Sequence, residues 1–264
     1  MRRALALLLL IVLSCPPLAH AAIKLESRAG AESAEMRVLV TRLEDVLVRT
    51  EKRIREVFAV RIDVKAVVET SKEDYDLLYK QPEDTKKAGV LLINSRVIRD
   101  RPIEDLKIAA ARALYQAVWP RYRKPTASAP VMVQRMFAEG MTAYAAELMY
   151  PGASPWKYAG LFGSEGKEQY RQYLSREKDL AQEALQALSA RQERGFDPRT
   201  SIGRLLSYRL MKTFEMIMDR KMIQLMQIAE FEQRLPAGLG VLKQGFRGKG
   251  WMFTGPRALC PPPR

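Results

Sequence analysis

The middle of the chain reads Asp-Leu-Lys-Ile-Ala-Ala-Ala-Arg-Ala-Leu-Tyr-Gln-Ala-Val-Trp over residues 105–119 and Phe-Ala-Glu-Gly-Met-Thr-Ala-Tyr over residues 137–144. Apolar residues in both stretches recur at three- and four-residue steps, which is typical of amphipathic helices. We expect a first helix over 102–119, stopped by Pro120, and a second over Val131–Met149. These two helices carry the polar residues that are candidates for a functional site.

Three polar residues on these predicted helices stand out from their apolar neighbours. Arg112 and Gln116 are one turn apart, on the side of the first helix opposite its apolar face. Glu139 shares a face of the second helix with apolar residues such as Met136 and Ala143. Because burying a lone carboxylate is costly, we predict that Glu139 pairs with Arg112, with Gln116 nearby.

The order of predicted elements indicates an α+β protein. A helix over 31–58 and β-branched strands over 64–68 and 90–93 come first, and the remainder is mostly helical. We predict a small N-terminal mixed sheet packed on a mainly helical body, in a single domain over 22–246. A flexible C-terminal tail is expected over 247–264.

Three local patterns give further expectations. Ser71 is a plausible cap for a helix that would carry Tyr75 and the two leucines after it. The apolar pair at 97–98 is expected to extend the strand over 90–93. Gly238 and Gly240 are typical of a turn.

The N-terminus resembles an export signal. Arg2-Arg3 precedes an apolar run over 4–13, and residues 19–21 read Ala-His-Ala, the small-x-small pattern of a cleavage site. We therefore predict a signal peptide over 1–21 and export through the secretory pathway, to the periplasm of a bacterium. A lipoprotein anchored through Cys15 is the alternative, and no transmembrane helix is expected in the mature chain.

Composition restricts the available chemistry. The single histidine is His20, so the mature chain would have none, although histidine is the commonest zinc ligand and general base. The formal net charge of +14 would fall by two on cleavage. A positive net charge of this size favours an anionic binding partner. The sequence has no basic run with interleaved aromatic residues of the kind that indicates a nucleic-acid-binding module. Cys260 would be the only cysteine of the chain after removal of the predicted signal peptide. It would then have no partner for an internal disulfide, which leaves a free thiol or an intermolecular disulfide.

Residues 105–119, 137–144 and 148–154 together resemble a bacterial family of predicted zinc-dependent peptidases. The family is gluzincin-like, and many of its members are domains of unknown function. Its first helix carries His-Glu-x-x-His, and its second carries a Glu-Gly-Leu-Ala-Thr-Tyr-like segment whose Glu is the third zinc ligand. A later family segment is similar to residues 202–209, so the resemblance extends loosely over 64–246.

The resemblance implies that the metal site is degenerate here. Arg112 stands at the position of the first ligand histidine, Ala113 replaces the catalytic glutamate, and Gln116 replaces the second histidine. Glu139 alone survives. Without the resemblance, Arg112 and Gln116 would be an ordinary solvent-facing pair. With it, we predict no bound metal or other cofactor and no catalytic residue, and an arginine that substitutes for the charge of the metal.

The function that follows is that of an exported, catalytically inactive peptidase-like protein. We expect its old substrate cleft to bind a peptide, a protein or an envelope component, or to serve as a scaffold. An extended chain needs only a free strand edge, and the strand over 90–93 is the candidate. The sequence names neither the partner nor the oligomeric state.

Two alternatives stay open. One is a basic cell-envelope module that binds anionic lipid or glycan through residues such as Arg121, Arg123 and Lys124. The other is an active hydrolase that holds a hard cation through Glu147 and Asp105 beside the surviving glutamate.

Overall fold

The computed structural model describes residues 23–27, 33–73, 75–82, 87–122, 129–190 and 196–245. The predicted signal peptide (1–21) and tail (247–264) lie outside these ranges, as do Arg123 and Lys124, and the side chain of Arg121 is not described. The described strands are β1 (Lys24–Ser27), β2 (Val64–Glu69), β3 (Leu77–Lys80) and β4 (Gly89–Asn94). The described helices are α1 (Ala34–Phe58), α2 (Ser95–Ile98), α3 (Ile103–Tyr122), α4 (Val131–Met149), α5 (Pro155–Tyr158), α6 (Gly163–Ser189), α7 (Ser201–Glu215), α8 (Arg220–Leu225) and α9 (Ile228–Gln244).

The four strands form one mixed sheet in the order β1-β2-β4-β3. β1 pairs with β2 and β2 with β4 in parallel, whereas β3 runs antiparallel to β4. The predicted α+β class, with a small N-terminal mixed sheet and a mainly helical body, is confirmed. The expectation that the strand over 90–93 is an edge is wrong, because β4 lies between β2 and β3. The outer strands of the described sheet are β1 and β3.

The centre of the sheet is apolar on both faces. Ala66 and Val68 of β2 lie beside Leu91 and Ile93 of β4, and all four side chains are buried. Val67, which points to the opposite face, is buried as well. This pattern is expected of an inner parallel strand, because helices or loops cover both of its faces.

A buried asparagine at the end of β4 fixes the loop before β3. The Asn94 side chain donates to the carbonyl oxygens of Ser71 and Glu73 and accepts from the backbone N–H groups of Ser71 and Arg96. The helix expected after Ser71 is wrong, because these bonds hold the loop and strand β3 follows it. The expected extension of β4 through 97–98 is also wrong, since Asn94 caps α2 instead.

Helix α3 lies at the centre of the helical body. It contacts α1, α4, α5 and β3, and residues 105–115 are buried apart from half-buried Lys107. The sequence placed Arg112 on the side of this helix opposite its apolar face, and neighbouring elements cover that side too, so Arg112 is buried. The helix also continues through Pro120 to Tyr122. Proline removes its own N–H and its ring crowds the carbonyl four residues before it, but the residues that follow it can still donate one turn back.

Helices α4 and α7 approach each other closely at Gly140. A Cβ atom built on Gly140 would lie 2.6 Å from the backbone oxygen of Ser207 and 3.1 Å from the Met211 side chain. A backbone oxygen cannot rotate away as a side chain can, so this approach requires glycine. The residue before this close contact is Glu139.

The C-terminal helices complete the body. Gly238 and Gly240 lie inside α9, so the expected turn at these residues is wrong. Gly238 is buried and packs against Phe214 of α7, where a built Cβ would lie 2.9 Å from the ring. Within the part of the chain that the structure describes, no helix combines the length and the apolar character needed to cross a membrane.

Gly140 and Gly240 give a matched test of this packing. Alanine is the better helix former by about 1 kcal/mol, so Gly240→Ala, with no atom within 4 Å of the built Cβ, should raise the free energy of unfolding. Gly140→Ala should lower it by about 1–3 kcal/mol, because α4 and α7 must separate. Urea unfolding of both variants measures the difference. Equal stabilisation by the two alanines would contradict the close approach.

Candidate functional site

Two helices bring the predicted pair of charges together. Arg112 on α3 places Nη2 3.2 Å from Oε2 of Glu139 on α4. Both side chains are largely buried, with 11% of the Arg112 side chain and 23% of the Glu139 side chain exposed. The pairing predicted from the sequence is therefore present, in the interior between α3 and α4.

A second contact fixes the guanidinium. Nη1 of Arg112 donates a hydrogen bond to the backbone oxygen of Tyr158, at the end of α5. Tyr158 is itself anchored, since its hydroxyl donates to the backbone oxygen of Tyr150 and accepts from the backbone N–H of Ala153, each at 2.8 Å. Arg112 therefore joins α3, α4 and α5.

A second arginine, which the sequence analysis missed, lies beside the first. A Cβ built on Gly160 would lie 2.9 Å from Nε of Arg112 and 3.2 Å from Nη1 of Arg204 on α7, so both guanidinium groups face one point. Gly160 has φ +77, which also favours glycine. Nε of Arg204 is buried without a hydrogen-bond partner. The available signal was that Arg204 falls in residues 202–209, one of the segments that carry the family resemblance.

The charges around Arg112 shift its pKa in opposite directions. Burial lowers the pKa of Arg112, the Glu139 carboxylate raises it, and the Arg204 charge lowers it further. Asp76, which immediately precedes β3, also raises this pKa and forms an ion pair of 2.5 Å with Arg101. Because arginine holds its proton strongly, the group remains a cation that needs its carboxylate partner.

The two other positions of the degenerate motif differ in environment. Ala113 is buried, with 3% of its surface exposed, and has no group that could transfer a proton. Gln116 is exposed one turn further along α3. No hydrogen bond joins Gln116 to Arg112 or Glu139 among the described residues, so the expectation that it lies close to this pair receives no support.

The carboxylates considered for a hard cation lie apart, each beside its own cationic partner. Asp105 is buried and pairs with Lys157 at 2.6 Å, while Glu147 pairs with Lys212 at 3.0 Å. Glu139 pairs with Arg112. Among the described residues, no group of three or more His, Cys, Asp or Glu side chains is placed to hold a metal ion. The described acidic side chains therefore give no oxygen-ligand set for a metal.

Glu147 belongs to a separate buried network between α4 and α7. Its carboxylate accepts from the Tyr208 hydroxyl at 2.9 Å, and burial, with the charge of Glu147, holds the pKa of Tyr208 well above its usual range. Lys212 is buried and also hydrogen bonds to Glu215. The network holds the two helices together two turns along α4 from Glu139.

Comparison with known proteins adds no family assignment. No protein-family model matches the chain, and no curated protein sequence matches it. The resemblance to zinc-dependent peptidases therefore stays a prediction from the sequence.

A double-mutant cycle tests the buried pair. Glu139→Gln removes the negative charge and leaves Arg112 buried beside Arg204, which should cost about 3 kcal/mol of unfolding free energy. The double variant Arg112→Met, Glu139→Gln should recover part of that loss, because the uncompensated charge is gone. Chemical unfolding of the four proteins gives the coupling energy. Simple additivity of the single effects would show that the two side chains do not interact.

The Glu215 network predicts a dependence of stability on pH. Burial alone raises the pKa of Glu215, but hydrogen bonds and charges from Lys212 and Arg220 lower it overall from 4.5. A carboxyl with a lowered folded-state pKa stabilises above its unfolded pKa, and this contribution is lost as pH falls through the folded value. Glu215→Gln should therefore weaken the fall in melting temperature below about pH 4.5. Glu168→Gln, in an exposed pair on α6, is the matched control and should retain the wild-type profile.

Proposed function

We propose that the chain is an exported, non-catalytic relative of gluzincin-type peptidases, in which the Arg112–Glu139 ion pair stands in place of a zinc ion. The observation that supports this proposal is the 3.2 Å contact between the guanidinium and the surviving carboxylate. A positive group is needed beside a half-buried Glu139, and arginine supplies it without a metal.

The chemistry of the side chains supports the loss of hydrolysis. A catalytic zinc takes about three protein ligands and an open position for water, and the reaction needs a group to accept the proton of that water. Arg112 has only donors, so it cannot bind a cation. Ala113, at the position of the catalytic glutamate, cannot move a proton. Glu139 is left as a single ligand.

The retained cleft is proposed to hold a peptide, a protein segment or an envelope component, or to act as scaffold. Strand β3 replaces the strand over 90–93 as the candidate for backbone pairing, because it is an outer strand of the described sheet. Asp76, just before β3, pairs with Arg101 and acts electrostatically on Arg112. Asp76 therefore links the start of this outer strand to the charge of Arg112.

Restoring the metal motif tests the proposal. The triple variant Arg112→His, Ala113→Glu, Gln116→His should bind zinc together with Glu139, because the four positions would again match the family pattern. The double variant that keeps Gln116 is the matched control, and it should bind zinc much more weakly. Metal analysis after dialysis, with circular dichroism to show that both variants are folded, gives the answer.

A peptidase assay of the unmodified protein tests the proposed loss of catalysis. We expect the mature chain to leave a mixed library of fluorogenic peptides uncut, with or without added zinc. Peptide hydrolysis by the unmodified chain that stops on chelation would overturn the proposal. A folded triple variant that fails to take up zinc would show that α3 and α4 do not have the geometry of a zinc site.

A further inference from the structure

A basic groove lies on the described surface, away from the Arg112–Glu139 pair. It has a volume of about 860 Å³ and opens between the C-terminal half of α1, the first turns of α3, and the segment that joins α4 to α5. Its charged lining residues are Arg49, Lys52, Arg53, Glu56, Glu104, Lys107 and Lys157. Cations therefore outnumber carboxylates in the lining, and they come from three different helices.

Tyr150 lines the same groove as these cations. Burial raises the pKa of Tyr150, while a hydrogen bond with Thr50 and the charges of Arg53, Lys107 and Arg49 act to lower it. The Tyr150 hydroxyl is held by Thr50, with 2.8 Å between the two oxygens.

Arg53 is positioned in advance for a ligand. Its Nη1 donates to the backbone oxygen of Met149 at 2.8 Å, and its guanidinium lies 5.0 Å from the centre of the Tyr150 ring. No carboxylate of the described residues forms an ion pair with Arg53. A fixed guanidinium whose neutralising partner is missing favours an anion.

Three of the other cations have carboxylate partners that are themselves exposed. Lys52 is 3.9 Å from Glu56, Arg49 is 2.8 Å from Asp45, and Lys107 is 2.7 Å from Glu104, with more than half of each carboxylate side chain exposed. Exposed ion pairs contribute about 0–1 kcal/mol, so a doubly charged ligand would displace them readily. Lys157 differs, because its partner Asp105 is buried and the pair is 2.6 Å long.

We propose that this groove binds a phosphate monoester group, with Arg53 as the anchor and Arg49, Lys52 and Lys107 as the surrounding cations. A monoester carries close to two negative charges near neutral pH and has three oxygens that accept hydrogen bonds, which matches several cations converging from separate helices. A single carboxylate would leave most of them uncompensated. The group could belong to a free phosphate compound or to a lipid headgroup, and the groove chemistry is the same for both.

The test compares two double variants of the whole mature chain that lose the same charge. Arg49→Gln, Lys52→Gln removes two exposed groove cations from α1, and Arg171→Gln, Arg176→Gln removes two exposed cations from α6. Binding of inorganic phosphate is measured by calorimetry. Binding of phosphatidylcholine vesicles with and without phosphatidic acid, whose headgroup is a phosphate monoester, is measured by sedimentation. Melting temperatures confirm that both variants are folded.

We expect the groove variant to bind at least one of the two probes about tenfold more weakly, and the α6 variant to bind like the unmodified chain. Loss limited to phosphate identifies a free ligand, and loss limited to phosphatidic acid vesicles identifies a lipid headgroup. Equal weakening by both variants would mean that net charge alone attracts the probes, which would overturn the proposal. Absence of binding to either probe would overturn it as well.

Discussion

A buried guanidinium must be neutralised, and the candidate site is arranged around that requirement. Arg112 lies inside the helical body, where an unpaired charge would be very costly. Glu139 neutralises it, the backbone oxygen of Tyr158 accepts a second hydrogen bond, and Gly160 leaves room for the group. Three helices therefore meet at one side chain. Gly140, the residue after Glu139, lets α4 approach α7 closely.

Much of this arrangement could be predicted from the sequence, because hydrophobic periodicity depends on neighbours along the chain. It gave α4 with its observed bounds and the strands β2 and β4. The pairing of Arg112 with Glu139 followed from the cost of burying a lone carboxylate. Contacts between distant segments could not be obtained in this way. Asn94 turns an expected helix into a loop and a strand, and Arg204 reaches Arg112 from nearly a hundred residues further along the chain.

The candidate site and the basic groove differ in whether the cation already has a carboxylate partner. At the candidate site the cation has a half-buried carboxylate beside it, so its charge is already neutralised within the fold. In the basic groove Arg53 is held by a backbone oxygen and a ring, and the neighbouring carboxylates are exposed. A cation that is neutralised inside the protein contributes to stability and not to catalysis. A fixed cation without a carboxylate partner favours binding of an external anion.

We propose that the Arg112 guanidinium occupies the place of a divalent ion. Crystals of the protein soaked in a zinc salt, with diffraction recorded on both sides of the zinc absorption edge, show whether this is so. We expect no anomalous peak within about 2.2 Å of the Glu139 carboxylate and an Arg112 side chain still paired with it. A strong zinc peak on that carboxylate, with Arg112 moved aside, would mean that the guanidinium does not replace a metal.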